Sequence, residues 1–561
     1  MDFGTTASSV VGDADTGSGG ITQEPGIRPG GSSAQNPSTF NPAFGASGVS
    51  ASGINVSETR YLDEYGRDAE ASKLYALFDE FYKAYALEWE RLSKCDRLYR
   101  CAHWEDIPVR DRLEPRPTTP VIHSTIENIR ADLFDRFPKA EIKADEPGYE
   151  EISKVLTHVI SENHIVCDYE REYDKLLYDF LVGGYMVQEV GYDFEANMGL
   201  GGAYIRHVDS HCIMFDPYSS SIDDARAVFK FTPFCREYFA EHYPKESERM
   251  NPDAYTLRRV KDCALNVDDS DSILLIESWR REFDAEAGIH RIHMQKIAGG
   301  VLLEDSRDYK PNGFYSHGKY PFIITPLFRR KGTMLGLGYA DLFENQQRFS
   351  DKLDQIVMKN ALMASHNKLL MTGASGFDLA DLKDWSKEVH IGENLNGIRW
   401  FSTAPLPSYI IDYISSIRES IKQESGSNDF SRGGTLGGVT AASAIIALQE
   451  MSSKRSRMLS RTIHAGFSQA VRLEIEVERE NAVFPRTISI DQTAVHYSRD
   501  LLRIESSMSV PIEFRVTVSV DHDDSASILA HNETIFKMLQ MGIMTPEEAK
   551  EKVRISDKRE L

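Results

Sequence analysis

The stretch YADLFENQQRFSDKLDQIVMKNALMA, residues 339–364, is the most informative segment of this chain of 561 residues. It contains neither glycine nor proline. Its apolar residues recur along one side: Leu342, Phe349, Leu353, Ile356 and Ala364. This spacing predicts a long amphipathic helix, because residues three, four and seven apart share a face at 3.6 residues per turn.

A second helix is predicted after a small αβ insertion. Residues 365–406 contain a strand (KLLMTG), a short helix (LADLKDWSKEV) and another strand (GIRWFS). The segment 407–425 then carries isoleucines at spacings of four, three and four: Ile410, Ile414, Ile417 and Ile421. Such a stripe predicts a helix with one packing face. Gly426 follows and is expected to end it.

A glycine-rich segment separates this helix from a much longer one. The segment GSNDFSRGGTLGG, residues 426–438, has five glycines in thirteen positions, and glycine leaves the backbone unrestrained. Alone, it is more typical of a plain flexible linker. Its place between two long helices favours a functional loop instead. Residues 440–481 predict a single helix with a bend near Gly466.

The flanking sequence predicts a mixed α+β fold. Residues 1–57 are rich in small residues and proline, and they are expected to form a disordered arm. Helices are predicted over 68–98, 119–136 and 150–181, the last of them ending at a Gly-Gly pair. Strands predominate from 185 to 305, where SILLIESWRREF and IHRIHMQKI flank the turn-forming stretch AEAG. The runs RTISID and IEFRVTVSV predict further strands, and two closing helices follow them.

Composition argues against several classes of protein. The formal net charge is -22, whereas a protein that grips nucleic acid over a broad surface has an excess of Lys and Arg. No P-loop, GxSxG elbow or dinucleotide fingerprint occurs in the sequence. No apolar stretch is long enough to cross a bilayer. We therefore expect neither an ATPase nor a membrane-spanning protein.

Metal and disulfide sites are not predicted either. The six cysteines are scattered without a CxxC pair, which indicates reduced, mostly structural thiols. The acidic clusters VDDSDS (267–272) and VDHDDS (520–525) are an alternative to consider as metal ligands. Asp and Ser at turns more often cap helices or face solvent, so we expect no metal and no cofactor.

Four local segments resemble the portal proteins of tailed bacteriophages. LLYDFLVGGYMVQEVGYD (176–193) looks like the family's helix, glycine turn and strand, and IRHVDSHCIMFDPYSSSIDDARAVF (205–229) is similar to its Asp-Pro turn. YPFIITPLFRR and GLGYADLFENQQRFSDKL resemble the entry to the first stem helix. GGTLGGVTAASAIIALQEMSSKRSRML is similar to the tunnel loop and the helix after it. The pattern resembles the portals of short-tailed phages.

The resemblance implies a division of the chain into the parts of a portal subunit. The disordered arm is followed by a mixed α+β wing, a two-helix stem around an αβ clip, a tunnel loop, a long spine helix and a small helical crown. The implied bounds are wing 58–335, stem helix 336–364, clip 365–406, second stem helix 407–425, tunnel loop 426–439, spine helix 440–482, wing return strands 483–522 and crown 523–561.

The resemblance also implies a function. Portal subunits form a ring of twelve copies at one capsid vertex of the virion, through which double-stranded DNA is packaged and ejected without sequence preference. The implied partners are the terminase, head-tail adaptor and tail proteins, and the major capsid and scaffolding proteins, with assembly in the host bacterial cytoplasm. The alternatives are another structural phage protein, such as an adaptor or internal ejection protein, or an enzyme of unrecognised type.

Channel-lining residues follow from the implied positions of the stem and the tunnel loop. A largely acidic wall would let DNA slide, and isolated basic residues would give weak contacts with passing phosphates. The predicted channel lining is Lys352, Lys359, Lys422, Asn428, Asp429, Phe430, Arg432 and Thr435. The predicted flexible glycines are Gly426, Gly433, Gly434, Gly437 and Gly438. No residue is predicted to be catalytic.

Overall fold

The computed structural model describes the chain from Glu64 onward, with gaps. The described residues are 64–108, 114–144, 149–250, 272–365, 368–373, 376–382, 388–401, 405–426, 454–482, 486–490, 493–497, 514–520, 532, 535–541 and 545. The predicted arm over 1–57, nearly all of the glycine-rich segment, the first part of the predicted spine helix and most of the predicted crown lie outside them.

Long helices form where the apolar spacing predicts them. They are α1 (Glu64–Tyr99), α2 (Val121–Phe134), α3 (Glu150–Val166), α4 (Tyr169–Tyr178), α5 (Tyr339–Ser365), α6 (Tyr409–Ser425) and α7 (Lys454–Asn481). Shorter helical segments are Asp179–Gly183, Ala196–Gly199, Ile222–Asp224, Arg236–His242, Pro244–Ser247, Ser306–Asp308, Leu379–Leu382 and Leu395–Gly397.

The strands lie mostly between α4 and α5. They are β1 (Pro138–Ala144), β2 (Tyr185–Asp193), β3 (Gly202–Val208), β4 (Ile213–Phe215), β5 (Ala227–Cys235), β6 (Ser272–Asp284), β7 (Ile289–Ala298), β8 (Val301–Asp305), β9 (Phe322–Pro326), β10 (Phe328–Arg329), β11 (Gly336–Leu337), β12 (Lys368–Met371), β13 (Ile398–Phe401), β14 (Arg486–Ile490), β15 (Thr493–Tyr497) and β16 (Phe514–Val520). The predicted α+β fold class is confirmed.

Two sheets carry most of the β structure in the described ranges. An antiparallel sheet has the strand order β4-β5-β6-β7-β8, and a second has the order β3-β2-β9. The predicted hairpin around AEAG is β6 and β7, with Asp284 paired to Ile289. The remaining strands form the pairs β1-β16, β10-β11, β12-β13 and β14-β15.

Helix α1 covers the five-stranded sheet with a continuous apolar face. Its buried residues recur at spacings of three and four: Ala71, Leu74, Phe78, Phe81, Tyr85, Trp89 and Leu92. The Phe78 ring meets Phe229 and Phe231 of β5 edge-on, at centroid distances of 5.5 and 5.6 Å. These rings belong to one core cluster with β4 to β8, and the burial of such large side chains dominates the stability of this half.

A second core lies between α2, α3, α4, α7 and the three-stranded sheet. Helix α7 runs through Gly466 as a single element from Lys454 to Asn481, and the bend near Gly466 stays a prediction. A β-carbon on Gly466 would lie 2.2 Å from Thr325 Oγ1. The glycine therefore allows close packing of α7 against β9.

The prediction of one helix over 150–181 is wrong. The run breaks between α3 and α4 at Asp168, whose φ of 52° is left-handed, a conformation that Asp tolerates better than most residues. After α4 the chain widens into the π-helical turn Asp179–Gly183. Gly184, with φ of 92°, ends the run at the predicted place.

Strands β1 and β15 are not predicted from the sequence. Strand β1 pairs along its whole length with β16, from Pro138 opposite Val520 to Ala144 opposite Phe514. A partner 380 residues away along the chain leaves no local signal in a run as short as PKAEIKA. The pair joins β16 to the region around α3.

The predicted apolar side of α5 is not the side that is buried. The buried residues of α5 are Tyr339, Ala340, Phe343, Gln347, Ser350 and Asp351. Leu342, Phe349 and Ile356 are exposed in the single chain. The buried side of α5 instead combines the aromatic Tyr339 and Phe343 with polar side chains farther along, whose hydrogen-bond partners are described below.

Candidate functional site: the helix pair

Helices α5 and α6 pack against each other in opposite directions and are called the helix pair below. Gln346 donates a hydrogen bond to Glu424 Oε2 at 3.2 Å. Farther along, the guanidinium of Arg418 donates to Ser350 Oγ at 3.3 Å and forms an ion pair with Asp354. The predicted packing face of α6 is confirmed, since Ile414 and Ile421 are buried and Ile410 and Ile417 are partly buried.

The αβ insertion connects the two helices. Strands β12 and β13 pair antiparallel, with Lys368 opposite Phe401 and Met371 opposite Ile398. A short helix, Leu379–Leu382, lies between them in sequence. The predicted order of strand, helix and strand is therefore present, although several residues of the insertion lie outside the described part.

A buried polar seam joins α5 to the segment before α2. Asp351 Oδ2 lies 2.6 Å from His103 Nδ1, and both side chains are almost completely buried. The other ring nitrogen of His103 lies 3.0 Å from the Leu98 carbonyl oxygen. Gln347 donates to Asp351 Oδ1 at 2.9 Å and to the Thr119 carbonyl at 2.7 Å. These bonds offset the cost of burying polar groups and hold the face of α5 in one orientation.

The start of α5 is anchored by Asp341. Its Oδ2 accepts a hydrogen bond from the Gly338 amide at 2.9 Å, which satisfies one of the unpaired N–H groups at a helix start. The same carboxylate pairs with Arg91, and its Oδ1 accepts from the Cys95 thiol at 3.3 Å. Burial, reinforced by the nearby Asp341 charge, raises the pKa of Cys95, so this thiol stays protonated.

Arg91 connects this anchor to the π-helical turn. Its guanidinium donates to Glu88 at 2.6 Å and to the Gly183 carbonyl at 2.8 Å. Burial opposes the charged form, but the hydrogen bonds and charges of Glu88 and Asp341 outweigh it and raise the pKa of Arg91. Arg330 donates to the second oxygen of Glu88 at 2.7 Å. The base of the helix pair is thus tied to α1 by a buried charged network.

The predicted channel-lining residues are only partly described. Lys352 and Lys359 are exposed on α5, and Lys422 on α6 is partly buried, with Nζ 4.0 Å from Glu419 Oε2. Gly426 has φ of 82° and ends α6, as expected. The other predicted residues lie outside the described part: Asn428, Asp429, Phe430, Arg432, Gly433, Gly434, Thr435, Gly437 and Gly438.

The residues that hold the helix pair in place are not predicted from the sequence. His103, Arg418, Asp351 and Asp354 have no role predicted from the sequence. Arg418 and Asp354 differ by 64 positions, and His103 and Asp351 differ by 248. Arg418 lies beside the isoleucines of the predicted packing face of α6, and a polar residue at such a position is a local signal that it has a partner.

Metal-binding and membrane-spanning features receive no support from the part of the chain that the structure describes. Within the described ranges, no group of His, Cys, Asp or Glu side chains is arranged to hold a metal ion. The cluster 520–525 lies almost wholly outside those ranges, as does most of 267–272. None of the helices that can be described is both long and apolar enough to cross a membrane.

Comparison with known proteins identifies the class of the chain. A family model described as Phage P22-like portal protein matches residues 75–321, and one described as Phage SU10 portal protein matches residues 201–554. No curated protein sequence matches the chain. Both family descriptions name phage portal proteins, which is the class indicated by the order of the helix pair, its insertion and the long helix.

The SU10 match includes α5, α6, α7 and the insertion, and it covers more than half of the chain. The chain belongs to the family of phage SU10 portal proteins. The predicted resemblance to the portals of short-tailed phages is confirmed.

Proposed function

We propose that the chain assembles into a ring of twelve copies at one vertex of a phage capsid. In this ring the helix pair of each copy forms the wall of a channel for DNA. The observation that carries the proposal is the antiparallel packing of α5 on α6 around the αβ insertion, within the part of the chain that matches the SU10 portal family. Two helices packed side by side are suited to a channel wall, because each presents several turns of one face, over 27 residues in α5 and 17 in α6.

The base of the helix pair supports a rigid wall. Asp341, Arg91 and Glu88 tie the start of α5 to α1, and His103 holds its middle through Asp351. Because these contacts are buried, they resist the force that DNA would exert on the wall more than exposed ion pairs would. In this arrangement the helix pair faces the DNA, and the wing holds the helix pair in place against the force that the DNA exerts.

Electrostatics favours sliding over gripping. Each copy carries a formal charge of -22, and duplex DNA carries about one negative charge per 1.7 Å of its axis. Repulsion from a largely acidic wall keeps the DNA free to move. Isolated basic residues next to the channel, Lys422 and Arg432 among them, supply weak contacts, and the glycine-rich segment 426–439 acts as a movable valve.

The proposal assigns partners to the remaining surfaces. The insertion over 365–406 docks the terminase during packaging and head-tail adaptors afterwards. The wing faces the capsid shell and the scaffolding protein. The chain has no enzymatic role in this scheme, because its sequence contains no P-loop of the kind that a motor ATPase needs.

Electron microscopy of the purified full-length chain tests the ring. We expect end views with twelve subunits around an open centre. Particles that remain monomers or dimers at high protein concentration would contradict the proposal. Phage carrying Arg432→Ala and Lys422→Ala test the channel contacts, and normal packaging and retention of DNA by both would remove those residues from the channel.

A further inference from the structure

The outer face of α5 carries an apolar stripe that no described part of the same copy covers. Its members recur every seven residues: Leu342, Phe349, Ile356 and Met363. Their exposed fractions are 47, 60, 49 and 37%. A stripe with this period is typical of a helix that packs against another helix. The four residues are called the heptad stripe below.

Two lysines lie beside the heptad stripe and also recur at seven residues. Lys352 and Lys359 are exposed, and at 3.6 residues per turn they lie roughly 140° to 180° around α5 from Ser350 and Asp354. Ser350 and Asp354 are the residues of α5 that bind Arg418 of α6. The lysine pair therefore points away from α6 of its own copy.

The outer face of α6 is acidic and aromatic. Asp412 and Glu419 are exposed, again seven residues apart, and they lie roughly 140° to 180° around α6 from the buried Ile414 and Ile421. Glu419 accepts a hydrogen bond from Gln423 at 3.3 Å and keeps half of its side chain exposed. This acidic pair points away from the interior of its own copy.

Tyr409 and Tyr413 flank the acidic pair, roughly 60° to 120° around α6 from Asp412 and Glu419, with exposed fractions of 68 and 59%. Exposed tyrosines beside carboxylates suit a face that packs against an apolar and basic helix, because the ring is apolar and its hydroxyl still reaches water or a polar group. Each copy thus presents a basic and apolar face on one side of the helix pair and an acidic and aromatic face on the other.

The two charged pairs also lie at matching heights along the helix pair. Gln346 of α5 and Glu424 of α6 are hydrogen-bonded and mark one common height. From that height, Lys352 is six residues farther along α5, and Glu419 is five residues back along the antiparallel α6. Lys359 is five residues beyond Asp354, and Asp412 is six residues before Arg418, the ion-pair partner of Asp354. Each lysine is therefore level with one carboxylate to within about one residue, or ~1.5 Å.

We propose that α5 of one copy packs against α6 of a second copy of this chain, with Lys352 paired to Glu419 and Lys359 paired to Asp412 of the neighbour. The heptad stripe is buried against Tyr409 and Tyr413 in the same contact. Copies related by rotation about an axis along the helix pair keep equal heights, so both ion pairs form together. Such a head-to-tail contact uses two different faces, and it gives a ring when the rotation from copy to copy closes on itself.

This inference rests on the ring proposed above and replaces the channel-lining prediction for Lys352 and Lys359. DNA is the competing occupant of the lysine face. The heptad stripe argues against DNA, because an exposed row of large apolar side chains offers nothing to phosphates and is stabilised by burial in a protein interface.

Charge reversal in the full-length chain tests the pairing. We expect Lys352→Glu with Lys359→Glu to lower the fraction of rings at least about tenfold at equal protein concentration, because like charges then face each other. Asp412→Lys with Glu419→Lys should do the same. The quadruple variant should restore the rings. A matched control, Lys154→Glu with Lys245→Glu, reverses two exposed lysines away from both helices and should leave the rings intact.

Native mass spectrometry counts the copies, and circular dichroism checks that the variants remain folded. Rings that form normally in both double variants would overturn the interface and leave the portal function standing. Double variants that lose rings without rescue in the quadruple variant would also overturn it. If the Lys352 and Lys359 variant forms normal rings but its phage package less DNA, the two lysines belong to the channel instead. A wild-type chain that forms no rings would overturn this inference together with the proposed function.

A crosslinking experiment gives a second readout that does not depend on ring stability. In a Cys235→Ser background, which removes an exposed thiol, Lys352→Cys with Glu419→Cys should give a ladder of disulfide-linked oligomers on mild oxidation. The two positions face opposite ways within one copy, so a bond between them joins two chains. Either cysteine alone should give no ladder, and a double variant without one would contradict the pairing.

Discussion

Gly184 and Gly336 are in backbone contact: a β-carbon on Gly336 would lie 2.2 Å from the Gly184 carbonyl oxygen. The same carbonyl accepts a hydrogen bond from the Leu327 amide at 2.8 Å. Gly338 lies equally close to the turn, since its β-carbon would be 2.1 Å from the Val182 carbonyl oxygen. The turn after α4 and the entry to α5 therefore fit together only without side chains.

Gly338→Ala should destabilise the chain by roughly 1 to 3 kcal/mol or more, because the added methyl group meets backbone that cannot move without disturbing two elements. Thermal or denaturant unfolding measures the change. Gly373→Ala is the matched control, since a β-carbon there meets nothing within 4 Å. Equal stability of the two variants would show that the segments can separate without cost.

His103 and Asp351 should be coupled in their effect on stability. Each single substitution to alanine leaves a buried polar partner and is expected to cost about 1 to 3 kcal/mol, whereas the double substitution removes both partners. The free energies of unfolding of the two single variants and the double variant form a double-mutant cycle. Strictly additive losses would contradict a direct interaction.

Arg418→Ala should loosen the helix pair. The substitution removes the guanidinium and leaves Asp354 with the hydrogen bond from the Thr119 hydroxyl, at 2.8 Å. The expected loss in the free energy of unfolding is about 1 to 3 kcal/mol. The unfolding free energy and the rate of proteolysis within the insertion 365–406 should both report the change. Arg399→Ala, at an arginine of the insertion, is the control. Similar behaviour of the two variants would argue that α6 is held by its isoleucines alone.

His317 should make stability depend on pH. Burial lowers the pKa of His317 to about 4, whereas an unfolded histidine titrates near about 6.5. The unfolded chain therefore takes up the proton first, so the contribution of neutral His317 is complete above about pH 6.5 and is lost as the pH falls toward about 4.

Unfolding by denaturant at several pH values in this window tests the effect against His317→Gln. The variant should lose less stability than the wild type as the pH falls. His242→Gln, at an exposed histidine, should follow the wild type. Parallel curves for His317→Gln and the wild type would contradict the prediction.

Local elements and their order could be predicted from the amino-acid sequence alone. The spacing of Ile414 and Ile421 predicts the buried face of α6, and the Gly-Gly pair predicts the end of the run after α4. The spacing of apolar residues and the position of turn-forming residues carry this information, because both depend only on neighbours within a few positions. The order of these elements along the chain is also sufficient to indicate the portal family.

Which residues meet depends on the folded chain as a whole. Asp351 is buried because His103, far away in sequence, supplies its hydrogen-bond partner, and β1 is a strand because β16 pairs with it. The outer face of α5 has apolar periodicity yet stays exposed, since the opposite side of the helix, with Tyr339, Phe343 and Asp351, packs against the core of the same copy. Burial depends on the folded chain and on its partners. The periodicity of one helix therefore predicts that a face is covered, but it does not identify the element that covers it.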